Sequence, residues 1–194
     1  SVRFGVVILA AGASRRLGRP KVLVRRTGKT LLELQVRKAE RCGARWIGVT
    51  LGCRYERTAP ALRGLPASVI RVPHWRSGLG TSICAAARAA PAQLGLVFMA
   101  ADQWQLTAAD LARLARGAGR KTRAAGYAGI VGIPAFFPPA QRIALQHLRG
   151  ERGARVHLRQ AVVCAMPHAG PDLDTTHDLC VLRAAWPLYR SFPR

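Results

Sequence analysis

The residues best suited to chemistry lie in a basic, glycine-containing stretch near the start of the chain, AAGASRRLGRPK at positions 10–21. Glycines permit tight turns, and successive backbone N–H groups in such a loop form a cradle for an anion. Serine adds a hydroxyl donor, and arginine binds phosphate oxygens with two parallel hydrogen bonds. The residues with these properties are Gly12, Ser14, Arg15, Arg16, Gly18 and Lys21. The stretch therefore predicts a phosphate-binding loop, although it matches neither GxxxxGK[ST] nor GxGxxG.

The carboxylates are few enough to be considered one by one, since the chain has nine Asp and Glu residues in all. Glu33 and Asp110 each follow a threonine at the spacing of a helix capping box, which predicts a structural role. Asp102 directly follows an apolar run. Mg²⁺ commonly binds one or two carboxylates and completes its shell with phosphate oxygens and water, so Asp102 is a candidate ligand. Asp172 and Asp174 offer a second carboxylate. Capping of the next helix remains an alternative role for Asp102 and Asp174.

The apolar runs and turn residues predict a regular alternation of strands and helices that would position these groups. Predicted strands cover 4–10, 46–51, 68–72, 95–101 and 161–166, with one or two more over 127–137. Predicted helices cover 31–42, 81–90, 106–116, 139–148, 154–160 and 176–185. This alternation predicts an α/β fold, a three-layer α/β/α arrangement with a mostly parallel sheet.

The same pattern predicts where a ligand would bind. In open α/β sheets, ligands lie beyond the carboxyl ends of the strands. The basic loop follows the first predicted strand and Asp102 follows the fourth, so both are expected at this edge. No linker or internal repeat interrupts the pattern. A length of 194 residues suits one domain, and we expect a single domain over 1–194.

Composition narrows the class of partner. The formal net charge of +22 suits an anionic ligand. The basic residues are spread along the chain without a dense tail or a basic–aromatic stripe, so we do not expect a nucleic-acid partner. No apolar run approaches the roughly 18 residues of a membrane span, and the N-terminus lacks a signal-peptide pattern. We therefore expect a cytoplasmic protein with no membrane partner. The five cysteines and five histidines lack disulfide-framework or zinc-ligand spacing.

At the level of motifs, LAAGASRRLGRPK at 9–21 resembles the nucleotidyltransferase signature L-A-A-G-x-S-x-R-x-G-x-x-K. The matching residues are Leu9, Ala10, Ala11, Gly12, Ser14, Arg16, Gly18 and Lys21. Later segments are similar to motifs of the molybdenum cofactor cytidylyltransferase (MocA-like) branch of that family. These segments are WRSGLGTSI at 75–83, AADQW at 100–104, GYAGIVGIPAFFP at 126–138, LRGERGAR at 148–155 and DLDTTHDL at 172–179.

The resemblance implies a Rossmann-like nucleotidyltransferase (nucleotide-diphospho-sugar transferase) fold. It also implies Mg²⁺-dependent transfer of CMP from CTP to the terminal phosphate of a molybdopterin-type cofactor, with release of pyrophosphate. The implied nucleotide-binding residues are Leu9, Ala10, Ala11, Gly12, Ser14, Arg16, Gly18, Lys21, Gly80, Thr81 and Ser82. The implied catalytic residues are Arg16, Lys21 and Asp102, and the implied metal ligands are Asp102 and Asp174. A further implied partner is a molybdoenzyme of the xanthine dehydrogenase type.

Three departures from the branch motifs bear on the acceptor more than on the nucleotide. They are Glu151 in place of aspartate, Trp104 in place of proline, and Thr176-His177 in place of Pro-Glu. Several alternatives therefore stay open. One is the same chemistry with GTP or with a sugar-phosphate acceptor. Another is NAD(P)H-dependent reduction of a flat heterocycle on the same scaffold, and a third is a protein that delivers the cofactor to a molybdoenzyme.

Overall fold

The structure is a computed structural model, and it describes residues 2–13, 20–117, 119–150 and 153–170. The strands in these ranges are β1 (Phe4–Leu9), β2 (Arg25–Arg26), β3 (Lys29–Thr30), β4 (Ile47–Leu51), β5 (Ser68–Arg71), β6 (Gly95–Ala100), β7 (Arg123–Tyr127), β8 (Ile130–Phe137) and β9 (Val162–Ala165). The α-helices are α1 (Leu31–Arg41), α2 (Tyr55–Thr58), α3 (Leu79–Ala89), α4 (Ala108–Arg116), α5 (Arg142–Gln146) and α6 (Gly153–Leu158). Short 3₁₀ turns cover 21–23, 59–62, 75–77, 139–141 and 167–169.

Seven of these strands form one sheet in the order β5-β4-β1-β6-β8-β7-β9. Strands β5, β4, β1 and β6 are mutually parallel, and β7 is parallel to β9. Strand β8 is antiparallel to both of its neighbours, β6 and β7. The small β2–β3 hairpin stands apart from the sheet. The prediction of a mostly parallel α/β sheet is therefore confirmed.

The core lies on both faces of the sheet, because successive side chains of a strand point to opposite faces. In β1, Val6 and Ile8 belong to a buried cluster that includes α1 and α4 residues. Val7 and Leu9 belong to a second cluster with residues of α3 and α5. A strand covered on both faces reads as a continuous apolar run, which is how β1 reads in the sequence. The arrangement has three layers, as predicted.

Two threonines set the starts of the helices that flank the first of these clusters. The Thr30 hydroxyl accepts a hydrogen bond from the Glu33 backbone N–H at 3.1 Å, so Thr30 caps α1. Thr107 and Asp110 form a reciprocal capping box at the start of α4. Both roles were predicted from spacing. Helix α4 begins at Ala108, two residues after the predicted start at 106, because Thr107 is its cap.

The region predicted as one or two strands over 127–137 is a hairpin of β7 and β8. The chain turns at Ala128 and Gly129, which both have positive φ, at 47° and 74°. Strand β7 begins at Arg123, earlier than predicted, because RAAGY carries none of the β-branched residues that indicate a strand. The predicted helix at 139–148 is a 3₁₀ turn followed by α5. The predicted helix at 176–185 lies outside the described residues.

Within the described ranges, none of the helices combines the length and apolar character that crossing a membrane requires.

Candidate functional site

The start of the basic loop is held in place by the strand next to β1. Beyond the end of β1, the Ala10 backbone N–H donates to the Thr50 carbonyl of β4 at 3.1 Å. One step further, the Cys53 backbone N–H donates to the Ala11 carbonyl at 3.0 Å. Gly12 follows, exposed, and a side chain there would meet nothing within 4 Å. The backbone from 9 to 13 is therefore fixed at its base and open to solvent at its tip.

Asp102 stands at the same edge, two residues after the end of β6, and only 6% of its surface is exposed. The next side chain, Gln103, anchors the turn that carries it. The Gln103 Oε1 accepts from the Ala100 backbone N–H at 2.9 Å. Its Nε2 donates to the carbonyls of Ile133 at 2.8 Å and Ala169 at 2.9 Å. One buried amide thus ties the Asp102 turn to β8 and to the 167–169 segment.

Lys21 meets Asp102 directly, with its Nζ donating to the carboxylate Oδ2. Side-chain exposure is 20% for Lys21 and 8% for Asp102, so the ion pair is largely shielded from solvent. Shielding strengthens the attraction between the two charges and raises the cost of leaving either one alone. An ammonium group that attracts phosphate and a carboxylate that attracts a cation therefore stand together.

The pair borders an open cavity of about 640 Å³ at the carboxyl edge of the sheet. Its floor is the backbone at the ends of β1 and β6, and its walls come from the segments after β4 and before α3. Residues on these walls include Ala11, Gly12, Lys21, Val22, Cys53, Arg54, Trp75, Arg76, Ser82, Asp102 and Ile133. This volume is within the usual range for small-molecule sites, about 300–1,000 Å³.

The structure brings several of the sequence-predicted residues together. Leu9, Ala10, Ala11, Gly12, Lys21, Ser82 and Asp102 all line the cavity. Gly80 instead packs on a neighbouring loop, donating its N–H to the Gly150 carbonyl at 3.0 Å. The Thr81 N–H donates to the Gly78 carbonyl, and Thr81 is absent from the lining described. Ser14, Arg16, Gly18, Asp172, Asp174, Glu151, Thr176 and His177 lie outside the residues that the structure describes.

Two glycines allow α3 to begin at the cavity. Gly78, the residue before the helix, has φ of 106°, a conformation that other residues rarely adopt. A Cβ on Gly80 would lie 2.7 Å from the Gly150 carbonyl oxygen. Helix α3 starts at Leu79, two residues before the predicted start at 81, and this places the buried Ser82 in its first turn.

Sequence reasoning did not assign the residues that form the far wall. Cys53 and Arg54 follow β4, and Arg54 has φ of 57° at the start of α2. Trp75 and Arg76 precede α3, and the Arg76 guanidinium lies 4.9 Å from the centre of the Trp75 ring. Two signals were available. Cys53 and Arg54 follow a predicted parallel strand, and Trp75 and Arg76 begin the WRSGLGTSI motif.

Among the described residues that line this cavity, Asp102 is the carboxylate that could hold a metal ion. The described residues contain no cluster of three or more His, Cys, Asp or Glu side chains suited to a metal. A site with one carboxylate still fits Mg²⁺, which commonly takes most of its ligands from substrate phosphates and water. The buried Asp102 beside an open cavity therefore fits such an ion, whereas a metal held by protein groups alone does not fit the described residues.

The sequence over residues 6–165 matches the model of a known family, the MobA-like NTP transferase domain. The chain belongs to the MobA-like NTP transferase family. This confirms the nucleotidyltransferase resemblance at family level and makes the chain a nucleotidyltransferase-like domain. The match leaves the MocA-like branch, the nucleotide and the acceptor as predictions.

One relative of this MobA-like domain carries a different functional name. The chain is 30% identical over 190 residues to the nicotine blue oxidoreductase of Paenarthrobacter nicotinovorans, covering 89% of this chain and 93% of that protein. Sequence similarity therefore extends to a protein named for redox chemistry.

Solved structures agree on the fold. Rv0371c from Mycobacterium tuberculosis H37Rv is 30% identical with a TM-score of 0.75, covering 94% of this chain and 97% of that chain. Rv0371c has also been crystallised as a complex with manganese. A nucleotidyl transferase from Methanothermobacter gives a TM-score of 0.82 at 21% identity, covering 97% of this chain and 100% of that one. The predicted nucleotidyltransferase fold is thus confirmed.

Proposed function

We propose that this MobA-like domain transfers CMP from CTP to the terminal phosphate of a molybdopterin-type cofactor and releases pyrophosphate. The observation that carries the proposal is the Lys21–Asp102 ion pair at the edge of a small-molecule cavity. It joins the two chemical functions that triphosphate binding needs, a cation for phosphate oxygens and a carboxylate for Mg²⁺. The family match and the MocA-like motifs support this reading.

The triphosphate would lie on the backbone of 9–13, with Gly12 giving close access to its phosphates. Lys21 would neutralise phosphate charge, and Arg16 and Ser14 of the same loop would add donors. Asp102 would hold Mg²⁺, with Asp174 as a proposed second ligand. When bound, Mg²⁺ supplies positive charge that offsets the negative charge developing on the phosphoryl oxygens. Asp102 contributes by keeping its carboxylate fixed through the anchored 102–103 turn.

No general base is needed for such a transfer. A terminal phosphate monoester is already anionic near neutral pH, so its oxygen can attack the α-phosphorus without losing a proton to the protein. The bond to pyrophosphate breaks as the new phosphoanhydride bond forms, and pyrophosphate leaves with its charge offset by cations. The protein mainly aligns the two phosphates and neutralises charge. This agrees with cavity walls that carry Lys21, Arg54 and Arg76 among the described residues and no histidine.

The acceptor side is proposed for the wall made by Trp75 and Arg76. An aromatic ring can stack on a flat pterin-like ring, while a guanidinium can bind its phosphate. Handover of the product to a molybdoenzyme of the xanthine dehydrogenase type fits this chemistry. GTP in place of CTP, or a sugar phosphate as acceptor, would use the same charged groups. We propose that one nucleotidyltransferase domain, residues 1–194, carries both the nucleotide side and the acceptor side of the site.

A second candidate, NAD(P)H-dependent reduction of a flat heterocycle, is favoured by the relative named as an oxidoreductase. The same cavity could take a dinucleotide, because a dinucleotide also needs phosphate-binding groups and a place for a flat ring. The two candidates differ in their dependence on metal. Nucleotidyl transfer needs Asp102 as a cation ligand, whereas hydride transfer does not.

The decisive experiment is calorimetric titration of the protein with CTP, GTP, ATP and NADPH, each with and without Mg²⁺. It is repeated on Asp102→Ala. Metal-dependent binding that is tightest for CTP and weakened in the variant supports cytidylyl transfer, and product analysis with molybdopterin then identifies the acceptor. Tight NADPH binding with no triphosphate binding overturns the transferase proposal in favour of reduction. Metal-dependent binding that favours GTP retains the chemistry and corrects the base.

A further inference from the structure

A second cavity of about 780 Å³ lies between α1 and the segment that follows Asp102. Trp104, which stands where the MocA-like motif has proline, lines this cavity and not the first one. Proposed nucleotidyl transfer assigns no role to this cavity, and none of its lining residues is shared with the first. Its volume suits a small molecule better than the flat surface of a protein partner.

The walls of this second cavity carry an excess of positive charge. Among the residues that the structure describes, five basic side chains line it, Arg26, Lys29, Arg37, Lys38 and Arg41, against a single lining carboxylate, Glu40. Glu40 is paired with Arg37 at 3.2 Å. Lys29 lies 3.8 Å from Glu33, just outside the lining. Even with Glu33 and the nearby Asp110 included, the basic side chains outnumber the carboxylates, so an anion entering this cavity meets a net positive field.

Lys38 stands on the inner side of α1, where its Nζ donates to the Trp104 carbonyl at 3.2 Å. Burial lowers the pKa of Lys38 to about 7, with Asp110 opposing this shift and Arg26 adding to it. An incoming anion stabilises the charged form of a neighbouring amine. Lys38 therefore has an amine that an anionic ligand can convert to a full positive charge near neutral pH.

The inner wall also carries an acceptor that lacks a donor. Gln35 is fully buried, and its Nε2 donates to the Ala101 carbonyl at 2.9 Å, which fixes the orientation of the amide. The Gln35 Oε1 has no hydrogen-bond donor among the residues that the structure describes. A buried acceptor without a partner costs about 1–3 kcal/mol. This oxygen is fully shielded in the structure, so a ligand in the cavity would not contact it without a movement of the inner wall.

Trp104 provides the remaining feature of the cavity, a planar surface. The Arg26 guanidinium lies 5.6 Å from the centre of the Trp104 ring, so a flat cation and a flat aromatic group stand side by side. A phosphorylated molecule that carries a ring can stack on Trp104 while the basic side chains of α1 bind its phosphate.

From these observations we infer that the second cavity binds a small phosphorylated molecule. The cationic rim attracts the phosphate, and the Trp104 ring contacts the rest of the ligand. The same chemistry accommodates inorganic phosphate alone or a phosphorylated organic molecule. The two sources differ in whether the Trp104 ring contributes to binding.

The test follows the indole N–H of Trp104 by NMR in the full chain, without metal or triphosphate. Of the four tryptophans, Trp75 lines the first cavity, so its signal reports phosphate binding there separately from binding in the second cavity. Substitution of Trp104 by phenylalanine identifies its signal. Inorganic phosphate and a nucleoside monophosphate are titrated separately, and sodium chloride at matched ionic strength is the blank. Saturable movement of the Trp104 signal with either phosphate probe is the expected result.

Matched double variants show whether the cavity itself is responsible. Arg37→Gln with Arg41→Gln removes two rim charges, whereas Arg3→Gln with Arg45→Gln removes two charges elsewhere. The first pair should weaken phosphate binding about tenfold or more, since hydrogen bonds to charged groups are worth about 1.5–3 kcal/mol, and the second should leave it unchanged. Tighter binding of the nucleoside monophosphate indicates an organic ligand, and equal binding indicates phosphate alone. The proposal is wrong if only Trp75 responds, if chloride acts equally, or if both double variants weaken binding alike.

Discussion

At the residue scale, the site depends on a carboxylate and an ammonium group that neutralise each other when no ligand is bound. Lys21 and Asp102 are mostly shielded from solvent and in direct contact. Binding of a cation at Asp102 and of phosphate at Lys21 would replace one favourable pair with two. The pair thus keeps both charges satisfied in the free protein and leaves both available to a metal–triphosphate complex.

The first prediction concerns Asp102→Asn, which preserves shape and removes the charge. We expect Mg²⁺-dependent CTP turnover to fall on the order of 100-fold or more, because a preorganised charge at the reacting phosphates is lost. Pyrophosphate release measures the effect. Lys21 would then face a neutral amide, so metal-independent binding of triphosphate should persist or strengthen.

Asp110→Asn is the matched control for this substitution, since Asp110 is also a largely buried aspartate but lines neither of the two larger cavities. Its turnover should stay at the wild-type level at temperatures where both proteins are folded. Equal losses of turnover in the two variants would indicate that Asp102 matters for folding and not for chemistry.

The second prediction uses the pH dependence of the Asp110 capping box. Burial by itself would raise the pKa of Asp110, but hydrogen bonds with His168 and Thr107 outweigh it and leave the pKa lowered. Because the pKa of Asp110 is lower in the folded state, its carboxylate stabilises the fold at pH values above the unfolded-state pKa of about 3.9. That stability is lost as the pH falls through the folded-state pKa. The free energy of unfolding of the wild type should therefore exceed that of Asp110→Asn by about 1 kcal/mol at pH 6, a typical value for a side-chain capping interaction.

Urea unfolding from pH 6 down to pH 2.5 measures this difference between wild type and Asp110→Asn. The difference should shrink steadily below about pH 4, because the carboxylate becomes protonated in both states. A difference that stays constant over the whole range would contradict the role of the charged Asp110 carboxylate.

At the scale of elements, helix α1 is hydrogen-bonded to the Asp102 turn on both sides of Asp102. The Gln35 Nε2 donates to the carbonyl of Ala101, one residue before Asp102, and the Lys38 Nζ donates to the carbonyl of Trp104, two residues after it. These side chains lie one turn apart on the same face of the helix, as residues at i and i+3 do. The position of α1 and the position of the proposed metal ligand are thereby linked.

The third prediction tests this link with Gln35→Met, which keeps a buried side chain of similar length. The free energy of unfolding should change by less than about 1 kcal/mol, because the Ala101 carbonyl loses its donor while the unpartnered Gln35 Oε1 disappears. Mg²⁺-dependent CTP affinity should fall about three- to tenfold as the Asp102 turn loses an anchor. Calorimetry and urea unfolding on the same samples measure the two quantities.

Gln146→Met provides a comparison, since Gln146 also donates to a backbone carbonyl, that of Ala87, but far from Asp102. It should leave CTP affinity unchanged. An unaltered CTP affinity in Gln35→Met would show that α1 does not position the Asp102 turn.

The individual elements also show how much of the fold and of the site can be predicted from the sequence. Strands β1, β4 and β6 were predicted because their apolar, β-branched runs reflect burial on both faces. Strand β7 begins with arginine and alanine, and its pairing with β8 provides the hydrogen bonds that its composition does not indicate. Asp102 was predicted because it directly follows a recognisable strand, and Lys21 because it belongs to the basic, glycine-containing loop at 10–21. Gln35 was not predicted, because its role depends on the packing of a helix against a turn 66 residues away.

At the scale of the whole molecule, the candidate site lies at one edge of the sheet. The parallel strands β4, β1 and β6 all end there, so loops distant in the sequence meet around a common cavity. Strand β8 runs in the opposite direction, yet its Ile133 carbonyl is bound by Gln103 and its side chain lines the cavity. The antiparallel strand thus supports the site from its other side.

The net charge of +22 is also a property of the whole molecule, and the fourth prediction concerns what it binds. The charge is dispersed along the sequence, so we expect no dedicated nucleic-acid surface. A 20-base-pair duplex should bind at about 20 mM salt, without sequence preference, through release of counterions. Raising the salt to about 150 mM should increase the Kd above about 1 µM, which is the usual range for non-specific complexes.

Fluorescence anisotropy with two unrelated duplexes over this salt range measures the effect. Asp102→Asn is included because it alters the proposed active site by one charge out of many, so its DNA binding should match that of wild type. Submicromolar binding at 150 mM salt, or a strong preference between the duplexes, would mean that the charge is organised into a recognition surface. A steep fall in DNA affinity with salt would instead indicate that the positive charge does not form a recognition surface. Its general effect would then be to attract small anions such as triphosphates towards both cavities.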